Sequence, residues 1–254
     1  MKRNNIVIVG GSSGIGLSLS QKLEDREITV ISKSPCPVAG VRNFIADVCS
    51  PKELKAAFSK IERIDALVYC AGTSLAAPVE CVQTDDYRRL FDTNLLGAVE
   101  CTRLAMPLLK SSGAGRIIYL GSMGGVMPIA FDSFYSASKA ALMLFARAVN
   151  LETDKVSASV ALIGGTQTRF SFKRKIYTDC GEYDPALKSA SDALIKIEQT
   201  GYTADFVSDK LIKMIDNEKP AVVTIGLKYK FAGMLYKLLP QRIKHFADKK
   251  IYDI

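Results

Sequence analysis

The stretch from residue 6 to residue 23 constrains this chain more than any other. Residues 6–9 read Ile-Val-Ile-Val, a short β-branched apolar run with the character of a buried strand. It leads without a break into GGSSGIG at 10–16, and then into 17–23, whose leucines have helical spacing. Strand, glycine turn and helix in that order begin a β-α-β unit. The glycines let the backbone turn tightly and approach a ligand closely. The helix N-terminus behind them offers unpaired N–H groups and the positive end of a dipole to an anion. Glycines spaced Gly-x-x-x-Gly-x-Gly in this setting point to a dinucleotide pyrophosphate.

The rest of the chain continues the alternation. Strand patterns fall at 28–31, at 44–46 as the end of a third strand, and at 66–70, 116–120, 156–162 and 221–225. Helical patterns fall between them. One opens at Ser50, where Ser50, Pro51 and Glu53 make a capping box. Others run over 84–106 with Pro107 near the end, over 134–152 and over 204–217. The expectation is an α/β fold: a Rossmann-like, doubly wound, seven-stranded parallel sheet with helices on both faces. With no internal repeat and no linker, 1–254 reads as a single domain, a size at which one core is well buried. Ligands of such sheets sit beyond the carboxyl ends of the strands.

Tyr135 and Lys139 stand one turn apart in the 134–152 helix and share a face. A nearby ammonium favours a phenolate and lowers a tyrosine pKa from its usual value near 10. Tyr135 is therefore a candidate acid/base for a carbonyl oxygen. The pair alone is a common coincidence.

In Gly10, Gly14, Gly16, Asn94, Ser122, Tyr135 and Lys139 the chain resembles the short-chain dehydrogenase/reductase family, in its classical length class, over about residues 5–225. The run from Gly121 to Phe131 is similar to the hydroxysteroid and retinol dehydrogenase subgroup. The resemblance implies a catalytic set of Asn94, Ser122, Tyr135 and Lys139. Tyr135 would exchange the proton, Lys139 would lower its pKa and bind the nicotinamide ribose, Ser122 would hold the substrate oxygen, and Asn94 would fix a water leading to Lys139. It implies cofactor contacts from Gly10, Ser12, Ser13, Gly14, Ile15, Gly16, Ser32, Lys33, Asp47, Val48, Ala71, Gly72, Asn94, Tyr135, Lys139, Gly164, Thr166 and Thr168. It also implies a homodimer or homotetramer. The chain departs from the family pattern at Val9, at Tyr69-Cys70, and at Ile163-Gly164, where Thr168 still keeps its place. Weaker local hydrogen bonding is expected at the first two, with Cys70 a small packing residue or an oxidation-sensitive position.

An acid at the end of the second strand would hold ribose hydroxyls and repel a 2′-phosphate. Ser32, Lys33 and Ser34 stand there instead, which favours NADP(H) over NAD(H). Small and apolar residues around Ser122 suit a lipophilic substrate. A lid is expected at 165–202, with Phe170, Phe172, Ile176, Tyr177 and Tyr183 walling an apolar pocket. The same segment carries Arg169, Lys173, Arg174 and Lys175. That basic run keeps a second enzyme reading open, a reductase of 3-oxoacyl thioesters on acyl carrier protein or coenzyme A. A reading of another class is a non-catalytic dinucleotide-binding regulator.

The segment 226–254 has seven Lys/Arg against two Asp, interleaved with large apolar residues, in a chain of net charge +8. A basic amphipathic tail can lie on an anionic membrane, although docking on the body or on a partner subunit is the favoured expectation. No run of eighteen apolar residues suggests a membrane span, and no nucleic-acid motif accompanies the positive charge. Six scattered cysteines and one histidine argue against a disulfide framework and against a metal site. With no signal-peptide pattern, a cytoplasmic protein is expected.

Overall fold

The computed structural model describes residues 2–219 and 221–254. Seven strands form its main sheet: β1 (Asn5–Val9), β2 (Glu27–Ser32), β3 (Arg42–Ile45), β4 (Ala66–Tyr69), β5 (Gly115–Ser122), β6 (Val156–Ile163) and β7 (Val222–Thr224). Their order is β7-β6-β5-β4-β1-β2-β3, and every pairing is parallel. The order reverses between β1 and β4, which opens a crevice beyond the carboxyl ends of those two strands.

Alternation along β1 shows how the two cores arise. Ile6 and Ile8 face one side, with Leu19 and Leu23 of the α1 region (Gly14–Lys22) and Val207 and Leu211 of α7 (Ala204–Ile215). Val7 and Val9 face the other. They meet Ala57 of α2 (Pro51–Phe58), Ala98 and Ala105 of α4 (Gly97–Ser111), and Leu142 of α5 (Ser133–Val149). A strand covered on both faces needs apolar residues at every position, which is why β1 reads as an unbroken hydrophobic run.

Two local expectations are corrected. The capping box closes on one side only. Ser50 Oγ accepts from the Glu53 N–H at 3.4 Å, but the Glu53 carboxylate accepts from the Asp47 N–H at 2.8 Å rather than reaching back to Ser50. The long helix expected over 84–106 is two α-helices, α3 (Thr84–Phe91) and α4, joined by a π-helical turn at Asp92–Leu96. Pro107 lies inside α4 and does not end it; the buried face of Cys101, Ala105 and Leu109 carries the helix past the missing N–H.

Beyond β6 the chain builds a cover. The two-residue strand Thr166–Gln167 pairs with Tyr202–Thr203, and Lys175–Ile176 pairs with Leu75–Ala76. Helix α6 (Asp184–Gln199) follows. The tail forms α8 (Leu227–Leu238) and α9 (Gln241–Tyr252). It is fixed to the body at Gly164, where a Cβ would fall 2.4 Å from the Tyr229 ring, so only glycine admits that ring. The Tyr236 hydroxyl donates to Asp248 at 2.9 Å and ties α8 to α9. No helix among the described residues is long and apolar enough to cross a membrane.

Candidate active site

The crevice is a cleft of about 830 Å³ running from the glycine loop to the lid and tail. At one end the loop 10–16 folds on itself. Gly10 has φ +83°, and a Cβ on Gly16 would lie 2.3 Å from the Gly10 carbonyl oxygen. Helix α1 starts beside it with no acidic residue in its first turn, and the side chain of its N-cap, Ser13, makes no capping bond. Its first N–H groups thus face the cleft uncapped, a setting that fits a pyrophosphate. The lid begins directly above: the nearest atoms to a Cβ on Gly14 would belong to Thr168, at 3.7 Å.

Of the residues expected to hold the cofactor, Gly10, Ser12, Ser13, Gly14, Ile15, Gly16, Ser32, Lys33, Val48, Ala71, Gly72, Tyr135, Lys139, Gly164, Thr166 and Thr168 line this cleft. Asp47 and Asn94 do not. The Asp47 carboxylate turns to Lys33 at 3.1 Å and to Arg89 at 3.0 Å. Burial opposes its charge, but the Cys49 N–H and the two cations outweigh that and hold it down at about 2. Ser32, offered as a phosphate donor, spends its proton on the Ser34 carbonyl at 2.6 Å. Arg89, which carried no sequence signal, lines the cleft and adds a second cation near Lys33.

Asn94 is fully buried in the π turn. Its oxygen accepts from the Thr73 N–H at 2.8 Å, and its two N–H bonds go to the Thr73 carbonyl (2.9 Å) and Ser138 Oγ (3.0 Å). Both side-chain donors are therefore taken by protein, so a water held for Lys139 is not held by them. Tyr69 bears on the same turn. Its hydroxyl donates to the Thr93 carbonyl at 2.5 Å. The departure at Tyr69-Cys70 thus supplies a bond from β4 to the π turn, where weaker bonding was expected. Burial pushes the Cys70 thiol up to about 12, which disfavours the thiolate, and its partly exposed side chain lines the cleft.

Ser122 ends β5 and accepts from the Gly124 N–H at 3.0 Å. Its side chain stands beside the buried Tyr135 phenol in the cleft floor. Lys139 Nζ lies 5.6 Å from the centre of the Tyr135 ring and donates to the Leu120 carbonyl at 2.9 Å. The expected lowering of the Tyr135 pKa is not found. Burial pushes the phenol above its ordinary range, and the neighbouring Ser122 only partly offsets it. Burial also lowers Lys139 to about 8. Burial of both side chains penalises phenolate and ammonium alike.

The lid brings a buried polar cluster against this floor. Arg174 Nε donates to Ser74 Oγ at 3.0 Å, and its Nη2 donates to Glu198 at 2.5 Å. Ser74 donates to Asp132 at 2.6 Å. Asp132 holds the N-cap position of α5 but does not cap it, because its carboxylate turns to Ser74. One oxygen of Asp132, one of Glu198 and Nη1 of Arg174 are buried without partners. Burial raises Asp132 to about 7. The basic run is therefore not a uniform solvated face: Arg174 is interior and Lys175 is paired with Asp86, while Arg169 and Lys173 stay exposed at the cleft. The apolar wall also differs from expectation. Phe170 reaches the cleft and tilts against Tyr135 with ring centres 6.1 Å apart. Phe172 and Ile176 are exposed, and Tyr177 and Tyr183 pack in the cluster behind Ala76 and Leu187. Met123, Met127, Ile129, Leu194 and Ile251 make up the wall instead.

A family model described as short chain dehydrogenase matches residues 4–176, more than half of the chain. A 3-ketodihydrosphingosine reductase of Bacteroides thetaiotaomicron is 29% identical over the whole length of both chains. Estradiol 17-beta-dehydrogenase 2 of mouse is 31% identical over 82% of this chain and 58% of its own length. A 3-oxoacyl-(acyl-carrier-protein) reductase of Mycobacterium avium is 28% identical over 74% of this chain and 78% of its own. Among solved structures, a short-chain dehydrogenase of Streptomyces avermitilis superposes with a TM-score of 0.81 at 18% identity, covering 98% of this chain and 96% of that one.

Proposed function

The chain belongs to the short chain dehydrogenase family, oxidoreductases that use a nicotinamide dinucleotide on alcohols, carbonyls or ketoacyl groups, and we propose that this member reduces a lipophilic ketone with NADPH. The observation that carries the reading is Ser122, Tyr135 and Lys139 together on the floor of an apolar-walled cleft. The dinucleotide would supply the hydride. Ser122 holds the substrate oxygen, and Tyr135, beside Ser122 on the cleft floor, donates its proton to that oxygen. A phenol kept protonated by burial suits the reductive direction, in which it acts as the acid. Lys139 is a neighbouring cation that offsets negative charge left on the phenol oxygen. Lys33 and Arg89, set against the single charge of Asp47, leave net positive charge at the end of β2, which supports NADPH over NADH.

The full-length similarity to a 3-ketodihydrosphingosine reductase makes long-chain 3-keto lipids the first substrates to try. The test is NADPH and NADH oxidation against long-chain ketones, steroid ketones and acetoacetyl thioesters. Tyr135→Phe should lower kcat by about 10²–10⁴-fold while leaving NADPH binding in place. Turnover that survives in Tyr135→Phe sinks the mechanism. The thioester reading draws support from Arg169 and Lys173 at the cleft rim. It requires acetoacetyl-coenzyme A turnover that falls in Arg169→Gln/Lys173→Gln.

A further inference from the structure

The tail docks on the body by one face and leaves another uncovered. In α8, Leu227, Phe231, Met234, Leu235 and Leu238 recur at i, i+4, i+7, i+8 and i+11, and each is more than half exposed. That spacing makes a single outward stripe. The inward side of the helix is Tyr229 and Gly233, both buried. Lys230 and Lys237 flank the stripe on one side and Lys228 on the other. In helix α9, Ile243 and Phe246 are exposed as well. Nine of the seventeen large exposed apolar side chains among the described residues lie in 227–254. An apolar patch this concentrated on a folded chain marks an interaction surface.

We propose that the outer face of α8 and α9 docks on an anionic phospholipid bilayer. Charge selects this occupant. The tail holds seven Lys/Arg against two Asp. A second copy of the chain, meeting this face about a two-fold axis, would set that positive charge against itself. An anionic lipid surface complements it, while the leucine and phenylalanine stripe enters the interface between the headgroups and the acyl chains. The inner side of the same two helices walls the cleft through Ala232, Asp248 and Ile251. A lipophilic ketone dissolved in the bilayer would thus lie beside the cleft wall. The proposal does not depend on the catalytic reading.

The full chain is sedimented with vesicles of phosphatidylcholine alone, and with phosphatidylcholine and phosphatidylglycerol mixed two to one, at low and raised salt. Binding to the mixed vesicles alone, weakened by salt, is expected. Lys230→Gln/Lys237→Gln should lower partitioning roughly 30-fold, at about 1 kcal/mol for each lysine. Phe231→Ser/Leu238→Ser keeps every charge and should abolish sedimentation, with circular dichroism verifying that it is folded. Lys52→Gln/Lys55→Gln on α2, whose lysines are exposed away from the tail, should bind like the parent. Failure of the parent chain to sediment with mixed vesicles overturns the proposal. So does binding that survives Phe231→Ser/Leu238→Ser, which would be charge attraction alone. A dimer that this variant splits, with vesicle binding unchanged, would assign the face to a second copy.

Discussion

Replacing Asp132 with asparagine should make the protein more stable as pH rises, by an amount set by the burial of this carboxyl. Asp132 is 1% exposed, and its pKa rises from 3.8 to about 7, first through desolvation and against the pull of Ser74 and Arg174. The native state therefore holds this proton more tightly than the unfolded chain does. The stabilisation is complete below pH 4 and is lost as pH climbs to about 7. Between about pH 5 and pH 7 each unit costs about 1.4 kcal/mol, so wild type should lose roughly 3 kcal/mol relative to Asp132→Asn. That is a large share of the stability of an ordinary domain. Asparagine keeps the volume and an oxygen to accept from Ser74, so the 2.6 Å bond can persist. Urea unfolding of both proteins at about half-unit steps from pH 5 to 8.5 reads the difference directly. Parallel curves would show that Asp132 is ionised throughout, and a difference of opposite sign would show that Arg174 holds it as a carboxylate; either refutes the reasoning.

Three further outcomes follow from the same geometry. Lys139 carries a buried charge whose pKa is lowered to about 8, so its native state binds fewer protons between pH 8 and 10.5. Lys139→Met should be more stable at neutral pH by about 2–3 kcal/mol, a gain that shrinks as pH rises through that window, while turnover is lost; chemical denaturation at two pH values checks it. Arg174→Met strips the buried Glu198 and Asp132 carboxyls of their cation and should cost about 3–5 kcal/mol in unfolding experiments. Gly16→Ala forces a methyl to 2.3 Å from the Gly10 carbonyl oxygen and should cost about 1–3 kcal/mol. It should also weaken NADPH binding measured by fluorescence titration.

Much of this molecule is written in local spacing. The short unbroken apolar runs and the helical runs between them were enough to place all seven strands, most plainly the central ones, because a strand buried on both faces has few other ways to read. The glycine loop was legible because close backbone approach demands glycine at fixed offsets from the strand end. Tyr135 and Lys139 were legible as a pair because one helical turn sets their separation, and Ser122 was legible through its match to the family pattern. The π turn under Asn94 was not legible, since nothing in the side chains of 92–96 distinguishes it from α-helix.

What only the tertiary structure decided is the partner each polar or apolar group meets. Arg174 sits in a run of cations that reads as solvated, yet it is buried because Ser74, one hundred residues earlier, and Glu198 close around it. Phe170 enters the cleft while Phe172, two residues on, points to solvent. Tyr135 and Lys139 share a helix face as their spacing requires, but their burial, which no local pattern shows, opposes charge on both. The tail shows both levels at once. Its sequence fixes an amphipathic, basic pair of helices, and only packing against Gly164 decides which face is covered and which remains open. Periodicity is a property of neighbours in the chain, whereas burial and charge pairing belong to neighbours in space, and a chain folded over its own sheet brings together residues that no local pattern connects.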